Sequence, residues 1–509
     1  MSFASIFRSD NGPMAITLGV NILLAAAASI CLVLAAYIGY HYHWINDREF
    51  TGALAKYLYS LGPPLAAAML IAAFKLPARL KIAVTLTIWS VVVAAYCVES
   101  VAGIWLNLPS VQRNHIRRQL ADAAFARGVE FDTRTKSQVV EQLRQRGVDA
   151  VPSVFPQGLL KDNGDGTARS AVTIDGEEFL PLAGISKKLT IVCNEGGQFL
   201  TYVSDEHGFH NPPGMWGKAP VDVIVVGDSF GQGWCVPSDQ NFVAAIRHHY
   251  PSTLSLAIED SGPLEMLATL REYGPVLRPR VILWCFFEGN DLGNLIRGTQ
   301  SPMLLRYLHG GFTQNLHGRQ PEIDQALTVH VDEFRESGWL RSRQRELAVL
   351  LGDPQYLWLR FNQTIRLSVL RSRLGLIGGN DAASASSGDR RQRMAPFFDL
   401  LKAILIQARN AAREWEGELY FVYLPSRERY ETMAPGFHPT DRDTVLGAAK
   451  SIDLPIIDVH PAFMTERDPL ELFPFRVGYH YDREGHALVG RTIIRYLADQ
   501  DSVRPVNGR

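Results

Sequence analysis
The sequence predicts an α/β protein: a doubly wound parallel sheet preceded by an α-helical transmembrane region. Three observations carry this. Apolar runs long enough to cross a bilayer fill the first fifth of the 509 residues. From Val221 onward, short apolar strands alternate with helical patterns. The first of these strands, Val221–Val226, is β-branched and broken only by Asp222, the composition of a strand buried on both faces. It stops sharply at Gly227-Asp228-Ser229-Phe230-Gly231.

Length and composition set the outer bounds. A chain of 509 residues needs two or more folded units. A net charge of -1 gives no basic excess, which argues against nucleic acid as a partner. Five cysteines are too few for a disulfide scaffold. Cys31 and Cys97 lie in apolar runs, which leaves Cys193, Cys235 and Cys285 for the rest. A Cys193–Cys235 bridge outside the cytoplasm and buried free thiols are both open.

Residues 1–108 read as a membrane domain with three spans: Ile16–Tyr40, Leu58–Leu76 and Ile82–Leu106. The first is too long for a signal peptide and lacks a small-residue cleavage site. Gly62-Pro63-Pro64 implies a kink in the second. Glu99, a lone acid near the far end of the third, is expected near the interface. Lys75, Arg79 and Lys81 mark the loop between the second and third spans as cytoplasmic, which puts the chain after Leu106 outside. Arg113, Arg117 and Arg118 point the other way, but they begin a long translocated domain. The resulting expectation is a multi-pass protein of a bacterial inner membrane with an extracytoplasmic domain.

Residues 109–150 read as an amphipathic helical stalk, with Ile116, Leu120, Ala124 and Phe125, then Val139, Val140 and Leu143, at helical spacing. Residues 151–216 are rich in turns and short strands, and Leu189–Cys193 and Phe199–Val203 flank the turn Asn194-Glu195-Gly196-Gly197. Residues 217–500 form the main domain. After the strand Val221–Val226 come a helix Asn241–His249, a strand Leu254–Ile258, a helix Leu264–Tyr273 and a strand Val281–Phe287. After an irregular insertion, 292–393, regularity returns with a helix Pro396–Trp415, strands Glu418–Leu424 and Pro455–Val459, and a closing helix His486–Leu497. The insertion could lie over the carboxyl edge of the sheet, and its Ala/Ser stretch Asp381–Gly388 is expected to act as a mobile loop.

A serine at the end of a central strand, flanked by glycines, is placed as a nucleophile at the sheet edge. The spacing is not the Gly-x-Ser-x-Gly elbow. Gly227-Asp228-Ser229-Phe230 resembles the first sequence block of the SGNH (GDSL-type) hydrolases. Asn290-Asp291, directly after Val281–Phe287, resembles the second half of their Gly-x-Asn-Asp block, with Glu288 in place of the glycine. Gly378-Gly379-Asn380-Asp381 matches that block by letter but follows no comparable strand, and is set aside. In the block that supplies a glycine N–H, Asp260 stands at the glycine and Gly262 is the alternative donor. His480, before Gly485 and the closing helix, stands where the base would be. His486 matches a common second histidine whose ordinary role is capping or surface. The acid that should precede the base is missing, since Val477 and Gly478 fill its places. A Ser–His dyad or a carboxylate from elsewhere would then serve, with Asp482 a candidate by proximity. Cys193-Asn194-Glu195 and Ser204-Asp205-Glu206-His207-Gly208-Phe209 also resemble stretches of bacterial membrane proteins that carry such a domain.

The resemblance implies a three-layer, flavodoxin-like sheet and an esterase. Ser229 would be the nucleophile and His480 the base. The N–H of Ser229, that of Asp260 or Gly262, and the Asn290 amide would hold the oxyanion, with Asp228, Asp291 and Asp482 in support. The substrate would be an acyl ester of a lipid, a small molecule or a glycan. Two other functions stay open: acyl transfer to an envelope polysaccharide, and ester-free binding by a degenerate domain. No Cys/His cluster has metal spacing and no glycine loop cradles phosphate, so no metal or other cofactor is expected.

Overall fold
The computed structural model describes residues 12–40, 53–217, 220–336, 347, 351, 354–373, 387–431 and 440–500. The chain forms two compact units, Met1–Gln112 with Glu346–Ser384, and Arg113–Arg345 with Ala385–Arg509.

The first unit is helical: α1 (Gly12–Tyr40), α2 (Ala53–Ala73), α3 (Ala78–Leu106), α4 (Pro354–Ile365) and α5 (Ser368–Arg373). Val20, Leu24 and Ala28 of α1 pack against Leu70 and Ala73 of α2. Among the described residues, two stretches are long and apolar enough to cross a membrane, Ile16–Ala36 and Ala78–Leu106. The apolar part of α2, Leu61–Ala73, is shorter, and Pro63 and Pro64 lie inside that helix. Two of the three expected spans thus fall on helices that are long and apolar enough to cross a membrane, and at the second the apolar stretch is shorter than its helix. Their outward residues are large and apolar, among them Leu32, Val33, Val91 and Val101. Such a surface suits a hydrocarbon solvent better than water.

The second unit is built on five parallel strands: β1 (Val223–Val226), β2 (Thr253–Ser255), β3 (Val281–Phe287), β4 (Glu418–Leu424) and β5 (Ile456–Asp458). Their order is β5-β4-β3-β1-β2. That is the doubly wound order of flavodoxin-like sheets, with its switch point between β1 and β3. Successive side chains alternate between two apolar layers, as a pleated strand requires. Ile282, Trp284 and Phe286 of β3 join a core with Leu264 and Leu267 of the helix Pro263–Leu277 and Leu401 and Leu405 of the helix Ser387–Arg413. Leu283, Cys285 and Phe287 face Phe242 and Ile246 of the helix Phe242–His249 and Val489 and Ile493 of the helix Arg483–Asp499. All seven residues of β3 are buried, and each large side chain of this kind contributes about 1.5–3 kcal/mol.

The segment ahead of β1 is rich in short strands, as its turns imply. Ala150–Pro152, Leu189–Ile191 and Thr201–Val203 make a mixed three-stranded sheet, and two small hairpins cover 160–179. The expected stalk is not one continuous helix. Pro109–Ala126 ends at Arg127-Gly128, and the separate helix Lys136–Gln145 packs Val139 and Val140 against Ala150 and Ile191. The insertion is also divided. Helices Asp291–Gly298, Pro302–Arg306 and Gln320–Glu336 belong to the α/β unit, whereas 346–384 belongs to the unit of the apolar helices. Most of the Ala/Ser stretch lies outside the described residues.

Candidate active site
β1 delivers the chain to the carboxyl edge of the sheet. There a Cβ on Gly227 would lie 3.1 Å from the Cβ of Cys285, so the turn is held against β3. Asp228 caps the four-residue helix Ser229–Gln232, its Oδ1 accepting from the Phe230 N–H at 3.0 Å. Ser229 opens that helix and is 5% exposed. His480, on the loop before the helix Arg483–Asp499, brings Nε2 to 2.9 Å from Ser229 Oγ.

The other ring nitrogen of His480 meets Glu195. Nδ1 lies 2.8 Å from Glu195 Oε1, while Oε2 accepts the backbone N–H groups of Tyr479 and His480 at 2.8 and 2.9 Å. A carboxylate can only accept, so the proton sits on Nδ1 and the Nε2 lone pair faces the serine hydroxyl. Burial pushes the Glu195 carboxyl up, but His480 and three hydrogen bonds outweigh it and leave the group below its usual range. Glu195 is therefore an anion held in a fixed direction. Phe230 and Trp234 pack on the imidazole, with ring centroids 4.9 and 4.7 Å from it.

Glu195 comes from the small β-rich segment, not from the loop before the histidine. Its neighbour Cys193 is disulfide-bonded to Cys235, with Cα atoms 5.5 Å apart. That bridge ties the strand end carrying Glu195 to the loop that follows Ser229. Sequence reasoning did not assign Glu195 a role. Cys193-Asn194-Glu195 stood out only as a resemblance, and the acid was sought beside the base.

Asp482 does not meet His480. It caps the closing helix, accepting from the Gly485 N–H at 2.9 Å. His486 is fully buried and accepts from the Phe242 N–H at 3.4 Å. Burial and then the nearby His480 lower its pKa to about 3, against a hydrogen bond with the Trp234 backbone, so it stays neutral and structural.

Three expected oxyanion donors lie on different footings. Gly262 is unsuited, because its N–H donates to Glu265 Oε2 at 3.1 Å. Asp260 adopts φ 61°, a conformation that Asp tolerates better than most residues. Its carboxylate turns to Arg297 at 2.9 Å, and its carbonyl accepts from Asn294 Nδ2 at 3.0 Å. A carboxylate in the glycine position is thus neutralised by a cation. Asn290 ends the turn after β3 and precedes the helix Asp291–Gly298; its Oδ1 is buried and makes no hydrogen bond.

Glu288, the other departure from the family block, also turns to a cation. It pairs with Arg429 and accepts from the Ser426 N–H at 2.7 Å and from the Tyr423 hydroxyl. It knits the ends of β3 and β4.

Beneath the site, Asp228 and Asp291 are both fully buried. Burial raises Asp228 to about 6, against the pull of the Phe230 N–H, His480 and Asn290. Burial and then Asp228 push Asp291 well above its usual value. Asp291 accepts only the Phe287 N–H through Oδ2, at 2.9 Å.

Among the described residues, one group of potential metal ligands converges: Glu195, Cys235 and His480. Cys235 is committed to a disulfide and the other two to hydrogen bonds, so the group lacks a free ligand set.

The chain matches no protein-family model and no curated protein. It is similar in structure to a protein of Bacteroides fragilis designated an acylhydrolase, at 10% identity over 56% of this chain and 89% of that one, with a TM-score of 0.27. A two-domain esterase active on acetylated mannans aligns at 9% identity over 56% of this chain and 51% of that one, with a TM-score of 0.27. An α/β hydrolase from the metagenome of Lake Arreo aligns at 12% identity over 56% of this chain and 97% of that one, with a TM-score of 0.25.

Proposed function
We propose that this chain is a membrane-anchored serine esterase of the SGNH type, acting outside the cytoplasm on an acyl ester. The observation that carries the reading is the hydrogen-bonded series Ser229–His480–Glu195 at the carboxyl edge of a parallel sheet. His480 Nε2 takes the hydroxyl proton as Ser229 Oγ attacks the acyl carbonyl. Glu195 holds the imidazole tautomer and stabilises the imidazolium that forms. The N–H groups of Ser229 and Asp260 and the Asn290 amide receive the oxyanion. His480 returns the proton to the leaving alcohol, and water then releases the acid by the same route in reverse. The Cys193–Cys235 bridge supports an oxidising compartment, in line with the charge of the loop between the apolar helices.

The test uses the full chain in detergent. Wild type should hydrolyse a chromogenic short-chain acyl ester and be labelled by a serine-directed phosphonate. Ser229→Ala should lose both. Absence of both turnover and labelling in a folded wild-type protein would defeat the reading. Labelling with turnover only when a glycan hydroxyl is supplied would move it to acyl transfer.

A further inference from the structure
Part of the insertion returns to the apolar helices. Glu99 of α3 is fully buried, and its two carboxylate oxygens accept the N–H groups of Val369 and Leu370, each at 2.8 Å, at the start of α5. Tyr96 donates its hydroxyl to the Ile365 carbonyl at 3.3 Å. Arg360 of α4 is buried against Gly103, where any Cβ would lie 1.3 Å from its Nη2. Tyr96, Glu99 and Gly103 are spaced by three and four residues, so one face of α3 carries α4 and α5. Another face, Val98, Val101 and Trp105, stays exposed.

The outer side of α4 is apolar. Leu357, Trp358, Phe361 and Ile365 fall at helical spacing and are 43, 65, 56 and 54% exposed. The Trp358 and Phe361 rings stack at 5.8 Å. α3 likewise presents exposed apolar residues, Val98, Val101 and Trp105. The Glu99 bonds fit the same setting, since backbone N–H groups at membrane depth need an internal acceptor.

We propose that α4 and α5 form a membrane-interface element, with Leu357, Trp358, Phe361 and Ile365 seated in a phospholipid bilayer at the carboxyl-terminal end of α3. This rests on reading α3 as a membrane span. Tryptophan and phenylalanine on such a helix suit the boundary between headgroups and acyl chains. The chain passes between its two units near residues 112, 345 and 384.

The experiment uses the full chain in phosphatidylcholine vesicles, with Cys31 and Cys97 changed to Ser; Cys285 is fully buried and Cys193 and Cys235 are bridged, so the added cysteine is the one that takes the label. Single cysteines Phe361→Cys, Val91→Cys on α3 and Glu414→Cys on the exposed surface of the α/β unit carry an environment-sensitive fluorophore. The quencher is a phosphatidylcholine with a nitroxide on its acyl chain. The expected result is loss of fluorescence at 361 and 91 but not at 414. Quenching at 91 without quenching at 361 would overturn the proposal and leave α3 as a span. Quenching at neither would overturn both. Cross-linking between copies through position 361, with no lipid quenching, would also overturn it, in favour of a self-contact.

Discussion

Ser229 and Glu195 reach His480 from unlike kinds of structure. Ser229 follows β1, a strand buried on both faces in the middle of a regular sheet. Glu195 sits on a turn between three-residue strands of a small side sheet and is steadied by a disulfide. The nucleophile is positioned by repetitive packing, which leaves a periodic trace in sequence. The acid is positioned by a few long-range hydrogen bonds, 284 and 285 residues from their partners, and by a disulfide, which leave none. The difference separates a part of the site that the fold enforces from one that a few specific bonds enforce.

The largest effects should fall on the enforced part. Ser229→Ala and His480→Ala should each lower kcat by about a thousandfold or more, and the double variant by little more than either, because the two groups act as a unit. Single-turnover and steady-state kinetics on a chromogenic ester would show it. Glu195→Gln should come next, at roughly a thousandfold, because an amide favours the wrong imidazole tautomer. The acid also links to stability. Its folded pKa lies below the usual 4.5, so its stabilisation is present above that pH and disappears as the pH falls through the folded value. Glu195→Gln should flatten that part of the acid denaturation curve.

Breaking the steadying bond should weaken the acid side alone. Cys193→Ser with Cys235→Ser opens a link across 42 residues of sequence, worth about 4 kcal/mol by chain entropy. Thermal unfolding should show that loss, and kcat should drop by less than in Glu195→Gln. The Asp291 prediction has the opposite sign. A carboxyl whose folded pKa is raised costs stability above its unfolded pKa, increasingly until the folded pKa is reached. Asp291→Asn should therefore gain stability relative to wild type as the pH rises above about 4, measured by denaturant unfolding.

The parallel sheet was legible because β1, β3 and β4 are apolar runs that end at turn residues. The ends of those strands gave Ser229 and Asn290. The missing acid was not legible, since Val477 and Gly478 close the place where a local pattern would put it. Gly262 misled for a related reason: a glycine invites reading as a donor, but Glu265 three residues on occupies its N–H. The place of the insertion was not legible, because apolar residues at 354–373 look alike whether they cover a sheet or lie on another helix. The bonds of Glu99 with Val369 and Leu370 and of Tyr96 with Ile365 distinguish the two.

The most direct measurement compares kcat/KM of Glu195→Gln and Asp482→Asn on one chromogenic ester. If Glu195 orients His480, Glu195→Gln should fall by roughly a thousandfold. Asp482→Asn should stay near wild type in rate and lose at most about 1 kcal/mol of stability from its helix cap. A large loss in Asp482→Asn with little change in Glu195→Gln would contradict the assignment and return the acid to the loop beside the base.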